Sequence, residues 1–157
     1  MNNQETKKQS NGLNFPDWKR VQISNEIETL AKVAVNAAFR VHSELGPGLL
    51  ESAYEKCICH ELRAQQIQFE CQSAIPLNYH GEKIDAGFRL DLLLGKKLIL
   101  ELKAVDLLMP IHTAQVITYL RLLKLPLGLL INFNEPLIKH GIHRILNVPR
   151  SEQEILT

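Results

Sequence analysis

The feature that most constrains the fold is a pair of short apolar segments with charged residues inside them. Residues 84–94 (IDAGFRLDLLL) and 97–104 (KLILELKA) are separated only by Gly95 and Lys96. Both segments have the composition of strands, and a glycine between two such segments is typical of a hairpin turn. The sequence therefore predicts two neighbouring strands with charged side chains inside an apolar sheet.

The charged side chains of each segment share a face. Glu101 and Lys103 are two residues apart, and so are Arg89 and Asp91. Because side chains on a strand point alternately to its two faces, each pair is expected on one side of its strand. The opposite sides are expected to take Phe88, Leu90 and Leu92 on the first strand and Leu98, Leu100 and Leu102 on the second.

The length of the turn decides whether the two charged faces coincide. A loop of three residues, 95–97, would place Asp91 opposite Glu101, whereas a two-residue loop, 95–96, would place them on opposite faces of the hairpin. Only the first register brings the charges together, and it also brings the leucines together.

Two buried carboxylates and an ammonium group need compensation, because isolated charges are costly inside a protein. A hard divalent cation would relieve the repulsion between Asp91 and Glu101, and Mg²⁺ takes one or two carboxylates while keeping several waters. The alternative is an ordinary salt bridge of Glu101 with Lys103 or Arg89. The residues alone leave both interpretations open.

The rest of the chain reads as helices and strands around this hairpin. Ser24 is a plausible N-cap for the first helix, and Gly46-Pro47-Gly48 separates it from the second. The expected order is α-α-β-β-β-α-β-β, an α/β fold with one mixed sheet flanked by helices. Besides the hairpin, we expect helices over 25–44, 49–66 and 111–124, strands over 67–79, 127–133 and 141–148, and a turn over 80–83.

The bulk composition fits one domain, and the net charge says little about the kind of partner. The chain has 157 residues and a net charge of +1, so any nucleic-acid binding must come from local charge or from a bound cation. Three cysteines without a disulfide or zinc pattern favour reduced thiols in a cytoplasmic protein. No segment is apolar enough for a membrane span. We expect a domain over 25–148 between polar tails, 1–24 and 149–157.

Three further polar residues could join the site. Gln115 and Tyr119 are four apart on the third helix, hence on one face, although this could be an ordinary polar side. Glu51 lies in the first turn of the second helix, where a carboxylate also meets the helix dipole favourably. Tyr54 and His112 are interpreted as core packing and as a surface histidine at a helix start.

The segment GLLESAY, 48–54, matches the G-x-x-E-x-x-Y signature of a bacterial family named after that motif. The match extends from about Val35 to Asn147 and includes HSELGPGLLESAYE, RLDLLL, ELKAV and INFN. The family is similar to the PD-(D/E)XK nuclease superfamily, which includes restriction endonucleases, Holliday-junction resolvases and recombination exonucleases. The resemblance implies a restriction-endonuclease-like fold.

The resemblance also implies roles for individual residues. Asp91 and Glu101 resemble the two acidic metal ligands, and Lys103 resembles the lysine that positions the attacking water and steadies the phosphate. Leu90 stands where the superfamily's name has a proline. The metal ligands implied are Asp91, Glu101, the Leu102 carbonyl and Glu51, and the residues implied in catalysis are Glu51, Asp91, Glu101, Lys103, Gln115 and Tyr119.

Two functions remain open from the sequence. The first is a Mg²⁺-dependent nuclease, with Mn²⁺ as a substitute, acting on nucleic acid and on DNA in preference to RNA; a homodimer is compatible with this reading. The second is a non-catalytic module of the same fold that binds protein or nucleic acid. The near-neutral net charge favours the second, whereas the presence of all six implied site residues together favours the first.

Overall fold

The structure, a computed structural model, describes residues 21–148. The tails expected over 1–24 and 149–157 lie outside the described residues, except for residues 21–24. Within the described part, no helix combines the length and the apolar character needed to cross a membrane.

The helices begin and end close to the positions that the sequence predicts. The Ser24 side chain accepts a hydrogen bond from the Ile27 N–H at 3.3 Å and caps the first helix, as expected. A short helix before the last strand was not predicted. The four helices are α1 (Asn25–Leu45), α2 (Glu51–Ala64), α3 (Pro110–Leu123) and α4 (Ile138–Gly141).

The strands form one mixed five-stranded sheet and a separate two-stranded hairpin. The order in the large sheet is β1-β4-β5-β6-β7, with β5 and β6 parallel and the other neighbours antiparallel. This confirms the α/β class with a mixed sheet. The strands are β1 (Phe69–Ala74), β2 (Leu77–Tyr79), β3 (Glu82–Ile84), β4 (Arg89–Leu94), β5 (Leu98–Lys103), β6 (Leu127–Asn132) and β7 (Ile142–Leu146).

The separate hairpin corrects two of the predicted strands. The strand expected over 67–79 is two strands, because the chain leaves the large sheet at Ile75-Pro76 and proline cannot continue the ladder. The strand expected over 84–94 begins its pairing with β1 only at Arg89 and with β5 only at Leu92, and residues 82–84 pair with β2 instead. The turn expected over 80–83 is confined to His80-Gly81.

Two apolar clusters hold the helices against the sheet. On one side, α1 and α2 pack on the side chains of Leu98, Leu100 and Leu102. On the other side, α3 packs through Val116, Tyr119 and Leu120 on residues that include Ile99 and Leu130. β6 is buried along its whole length, as expected for a central strand covered on both faces. The candidate site lies between these layers, where β4 and β5 carry their charged residues.

Candidate active site

The hairpin between β4 and β5 has the register that brings the acidic residues together. Its loop is 95–97, and the ladder ends at the Leu92–Leu100 pair. The next position along this register places Asp91 opposite Glu101. The three-residue loop of the sequence analysis is therefore confirmed.

The Asp91 carboxylate makes the next hydrogen bond to β5 beyond the last backbone pair of β4 and β5. Its Oδ2 atom accepts a hydrogen bond from the Leu102 N–H at 2.8 Å, so a side chain occupies the ladder position beyond the last backbone pair. Asp91 is consequently buried, with an exposed fraction of 8%. Leu102 is buried in the α1–α2 cluster, and the predicted role of its carbonyl as a metal ligand stays a prediction.

The alternation expected on β4 is wrong on one side of Asp91. Phe88, Leu90 and Leu92 were expected on one face, but Phe88 and Leu90 pack in the α3 cluster while Leu92 packs with α1 and α2. The switch occurs at Asp91, which is also missing from the pairs between β1 and β4. A local interruption of the pleat is the physical reason, since regular alternation requires regular pairing.

Glu101 is the most deeply buried charged residue of the site. Only 2% of its surface is exposed, and its Oε2 atom has no hydrogen-bond partner among residues 21–148. Its Oε1 atom lies 3.6 Å from the ammonium group of Lys103, whose side chain is also largely buried. A buried carboxylate oxygen without a protein partner is costly, so this atom has capacity for a ligand.

Burial and a like charge both shift the titration of Glu101. Desolvation and then the Asp91 carboxylate raise the pKa of Glu101 to about 8, although the nearby Lys103 ammonium lowers it. These are the expected effects of low dielectric and of charge pairs on an acid. Without a cation, the Asp91–Glu101 pair therefore retains a proton at neutral pH.

Glu51 approaches the same group of charges from the first residue of α2. Desolvation raises its pKa, the Lys103 ammonium lowers it, and the carboxylates of Asp91 and Glu55 raise it. Glu51 is half-buried, and a hydrogen bond from the backbone N–H of Ala104 lowers its pKa. The expectation that Glu51 comes near Asp91 agrees with these interactions.

The side chain of Tyr54 holds the loop that directly precedes Glu51. Its hydroxyl donates to the Gly46 carbonyl oxygen at 2.6 Å and accepts from the Leu49 N–H at 3.1 Å. Gly46 and Gly48 have φ of +64° and +101°, which other residues rarely adopt. Tyr54 is fully buried, as predicted, but the two hydrogen bonds of its hydroxyl could not be seen from the sequence.

Gln115 and Tyr119 lie on the α3 side of the site. The Gln115 amide donates to the Tyr119 hydroxyl at 2.7 Å. Desolvation raises the pKa of Tyr119, and the hydrogen bond with Gln115 lowers it. The carboxylates of Glu101 and Asp91 raise this pKa, whereas the Lys103 ammonium lowers it. Both residues thus lie on the face of α3 expected from their spacing.

Two residues that the sequence did not mark as functional also support the site. Asn132 is fully buried, and its amide pairs with both the N–H and the carbonyl of Val105, directly after β5. Gln72 donates its side-chain N–H to Asp91 Oδ1 at 3.3 Å and to Glu55 Oε2 at 2.6 Å. A polar residue inside the apolar run 127–133 could have drawn attention to Asn132; no sequence signal pointed to Gln72.

Other polar residues have local structural roles. Arg89 donates to the Gln72 carbonyl at 3.3 Å, and His112 accepts from the Met109 N–H at 3.0 Å at the start of α3. Arg144 makes two hydrogen bonds to Glu28 at 2.6 and 3.0 Å. In this geometry none of these three is engaged with Asp91 or Glu101.

The donor set fits a hard divalent cation. Within residues 21–148, no group of three or more His, Cys, Asp or Glu side chains is already arranged to hold a metal. Mg²⁺ does not need such a cage, because it binds through one or two carboxylates and keeps several waters. The partnerless Glu101 oxygen beside Asp91 is the position that a cation would satisfy.

One comparison with known proteins gave a match. The family described as the PD-(D/E)XK nuclease superfamily matches residues 28–145, which is more than half of the chain. The matched range contains α2, the β4–β5 hairpin and α3, and hence every residue of the site described above. No curated protein and no solved structure matched the chain.

Proposed function

The chain belongs to the PD-(D/E)XK nuclease superfamily, and we propose that it is a metal-dependent nuclease that hydrolyses phosphodiester bonds with the site around Asp91, Glu101 and Lys103. The observation that carries this proposal is the buried Glu101 oxygen without a partner, in a carboxyl group whose pKa the nearby Asp91 carboxylate raises. The ion pair of Glu101 with Lys103 involves the other oxygen, so it leaves this buried atom in need of a further partner. A divalent cation would satisfy it and keep both carboxylates ionised.

The proposed cation is Mg²⁺, with Mn²⁺ as a substitute. Asp91 and Glu101 would hold it, together with the Leu102 carbonyl and with Glu51 from α2. When bound, a divalent cation lowers the pKa of water and stabilises charge on a phosphoryl group. We also propose that the chain is of the bacterial G-x-x-E-x-x-Y type, because Gly48, Glu51 and Tyr54 match that signature around the start of α2.

The remaining residues of the site supply charge and orientation. The Lys103 ammonium lies beside Glu101 and would stabilise the negative charge that develops on the phosphate as water attacks. The Tyr119 hydroxyl accepts a hydrogen bond from Gln115, so its own hydrogen is available to a phosphate oxygen or a water. Glu51 would orient water at the open side of the site.

The proposed substrate is nucleic acid, with DNA preferred to RNA. Superfamily membership supports a nucleic-acid substrate. With a net charge of +1, the chain has little overall attraction for phosphates, so binding should depend on the cation and on Lys103. A homodimer would suit cutting of both strands, and a cytoplasmic location would suit three free cysteines.

The test is cleavage of a substrate panel by purified protein at matched low salt. The panel contains single-stranded and double-stranded DNA, RNA and branched junctions, each with Mg²⁺, Mn²⁺ or EDTA. We expect cutting that requires the cation and is abolished in Asp91→Asn and in Glu101→Gln, which keep size but remove the charge that holds a hard cation.

Matched control variants separate this site from an unrelated loss of charge. Asp85→Asn and Glu82→Gln alter exposed carboxylates of the small hairpin region and should leave cutting intact. Cutting that persists in Asp91→Asn would assign the activity to another site or to a contaminant. If no substrate is cut and no cation binds at millimolar concentration, the non-catalytic interaction module becomes the better account.

A further inference from the structure

The backbone at Gln72 departs from a regular strand at one point. β1 pairs with β4 on both sides of this residue, through Cys71–Leu92 and Ser73–Leu90, but the pair between Gln72 and Asp91 is missing. Gln72 has φ of +54°, in the left-handed region that residues other than glycine rarely adopt. Such departures are concentrated near functional sites, where they aim a side chain.

The departure at Gln72 directs its side-chain amide toward two carboxylates. The Nε2 group donates to Glu55 Oε2 at 2.6 Å and to Asp91 Oδ1 at 3.3 Å. Its two hydrogens can serve both acceptors at once. Arg89 donates to the Gln72 carbonyl oxygen at 3.3 Å and helps to hold the irregular backbone.

From this arrangement we infer that Gln72 is a positioning residue, which acts on the proposed cation site by holding the Asp91 carboxylate. Oδ2 of Asp91 is held by the Leu102 N–H at 2.8 Å, and Oδ1 is held by Gln72, so both oxygens have a fixed donor. A carboxylate oxygen has two lone pairs, and each therefore keeps capacity for a cation. The inference rests on the proposed function, because it concerns the same carboxylate.

Loss of the amide should weaken cation binding. Partners of a metal ligand fix its orientation, and removing one typically costs 10- to 100-fold in affinity or activity. Because the Gln72–Asp91 contact is long and near the surface, the smaller value is expected, about tenfold. Leu102 would still hold the other oxygen of Asp91, which is the reason for a partial effect.

The first experiment measures Mn²⁺ affinity of the full chain by electron paramagnetic resonance. Gln72→Met removes the amide at similar length, and Gln72→Asn keeps an amide and tolerates positive φ but is one methylene shorter. We expect both variants to raise the Mn²⁺ Kd about tenfold and to broaden the signal of bound Mn²⁺. Wild-type behaviour of Gln72→Asn would overturn the inference, because the reach of the amide would then be irrelevant.

Gln66 offers a matched control in the same chain. It is also an exposed glutamine with positive φ, +58°, but it lies at the end of α2. Gln66→Met should leave both the Kd and the signal unchanged. If Gln72 were only structural, its variants would lower the urea midpoint without changing the Mn²⁺ Kd of the folded protein, and that result would also overturn the inference.

A second control separates Gln72 from its other acceptor. Glu55→Gln keeps an oxygen for the Gln72 amide but removes a charge near the site. We expect it to raise the Mn²⁺ Kd less than Gln72→Met does. A tenfold rise from Glu55→Gln alone, with none from Gln72→Met, would assign the effect to Glu55 and contradict the inference.

A readout without any cation tests the contact itself. In ¹⁵N-labelled protein, the side-chain NH₂ signals of Gln72 should shift in Asp91→Asn, whereas those of Gln66 should not. Unchanged Gln72 signals would show that the contact is absent and overturn the inference. Failure of wild-type protein to bind Mn²⁺, with the Gln72 signals still responding to Asp91→Asn, would instead count against the proposed function.

Discussion

The hydroxyl of Tyr54 donates to the carbonyl oxygen of Gly46 at 2.6 Å, across the loop that joins α1 to α2. The same hydroxyl accepts from the Leu49 N–H, and the ring stacks on Phe133 with centroids 4.4 Å apart. One buried side chain therefore fixes both ends of the loop that precedes Glu51. This contact gives a physical reason for a tyrosine three residues after Glu51.

Replacement of Tyr54 by Phe should test this clamp. The variant keeps the stacked ring but leaves the Gly46 carbonyl and the Leu49 N–H without their partner, so we expect a loss of about 1–3 kcal/mol in the free energy of unfolding. Urea denaturation measures the change. Tyr79→Phe is the matched control, since Tyr79 is exposed, and an equal loss in both variants would contradict the clamp.

The stability of the cation-free protein should fall as the pH rises from about 4.5 to about 8, because of Glu101. Below this window both the folded and the unfolded chain hold the proton. Within it the unfolded chain releases the proton while the folded chain keeps it, so ionisation favours unfolding by about 1.4 kcal/mol per unit of pKa difference. Above the folded pKa the loss is complete.

Replacement of Glu101 by Gln removes this pH dependence. We expect Glu101→Gln to be more stable than the wild type at pH 8.5 in EDTA, and the difference to shrink toward about pH 4.5. Thermal unfolding over a pH series measures it, with Glu82→Gln as an exposed control. A wild-type protein that gains stability relative to Glu101→Gln as the pH rises would contradict the raised pKa.

Much of the site follows from the sequence because the side chains of β5 alternate regularly between its two faces. The period of two fixes Glu101 and Lys103 on one face, and the apolar residues of β5 fix the other, so only the loop length was open. The requirement that leucines pack together selected the register that the structure has. The i, i+4 spacing of Gln115 and Tyr119 likewise sufficed to place them on one face of α3.

The features that sequence reasoning missed depend on irregular backbone. Alternation alone could not reveal that β4 changes faces at Asp91, or that Gln72 opposite it adopts a positive φ. The hairpin of β2 and β3 was missed because its short strands pair with each other rather than with the large sheet. Neither propensity nor period distinguishes such local pairing from extension of a neighbouring strand.

Lys103 should matter for reaction more than for cation binding. Lys103→Met keeps an apolar chain of similar length but removes the ammonium beside Glu101. We expect cleavage to fall by a factor on the order of 100 or more, as when one group that stabilises transition-state charge is removed, while Mn²⁺ still binds.

The matched control for Lys103 is Lys97→Met, which breaks an exposed pair with Glu26 and should leave cleavage unchanged. Single-turnover cleavage and Mn²⁺ titration measure the two effects separately. Loss of Mn²⁺ binding in Lys103→Met would mean that the lysine mainly supports Glu101, and its assigned part in phosphate stabilisation would be wrong.

The thiol of Cys71 should be unreactive although its residue is exposed. Its Sγ lies 3.4 Å from Glu55 Oε1 and 3.9 Å from the Cys59 Sγ, and desolvation, followed by the hydrogen bond to Glu55, raises its pKa to about 12. The thiolate is the reactive form, so alkylation by iodoacetamide at pH 8 should be about 100- to 1000-fold slower than that of an unperturbed cysteine.

Glu55→Gln should accelerate alkylation roughly tenfold, because it removes a nearby negative charge, whereas Glu70→Gln on the same strand should not. Peptide mapping by mass spectrometry follows Cys71 separately from the other cysteines. Rapid labelling of Cys71 in the wild type, equal to that in Glu55→Gln, would show that the carboxylate does not suppress the thiolate.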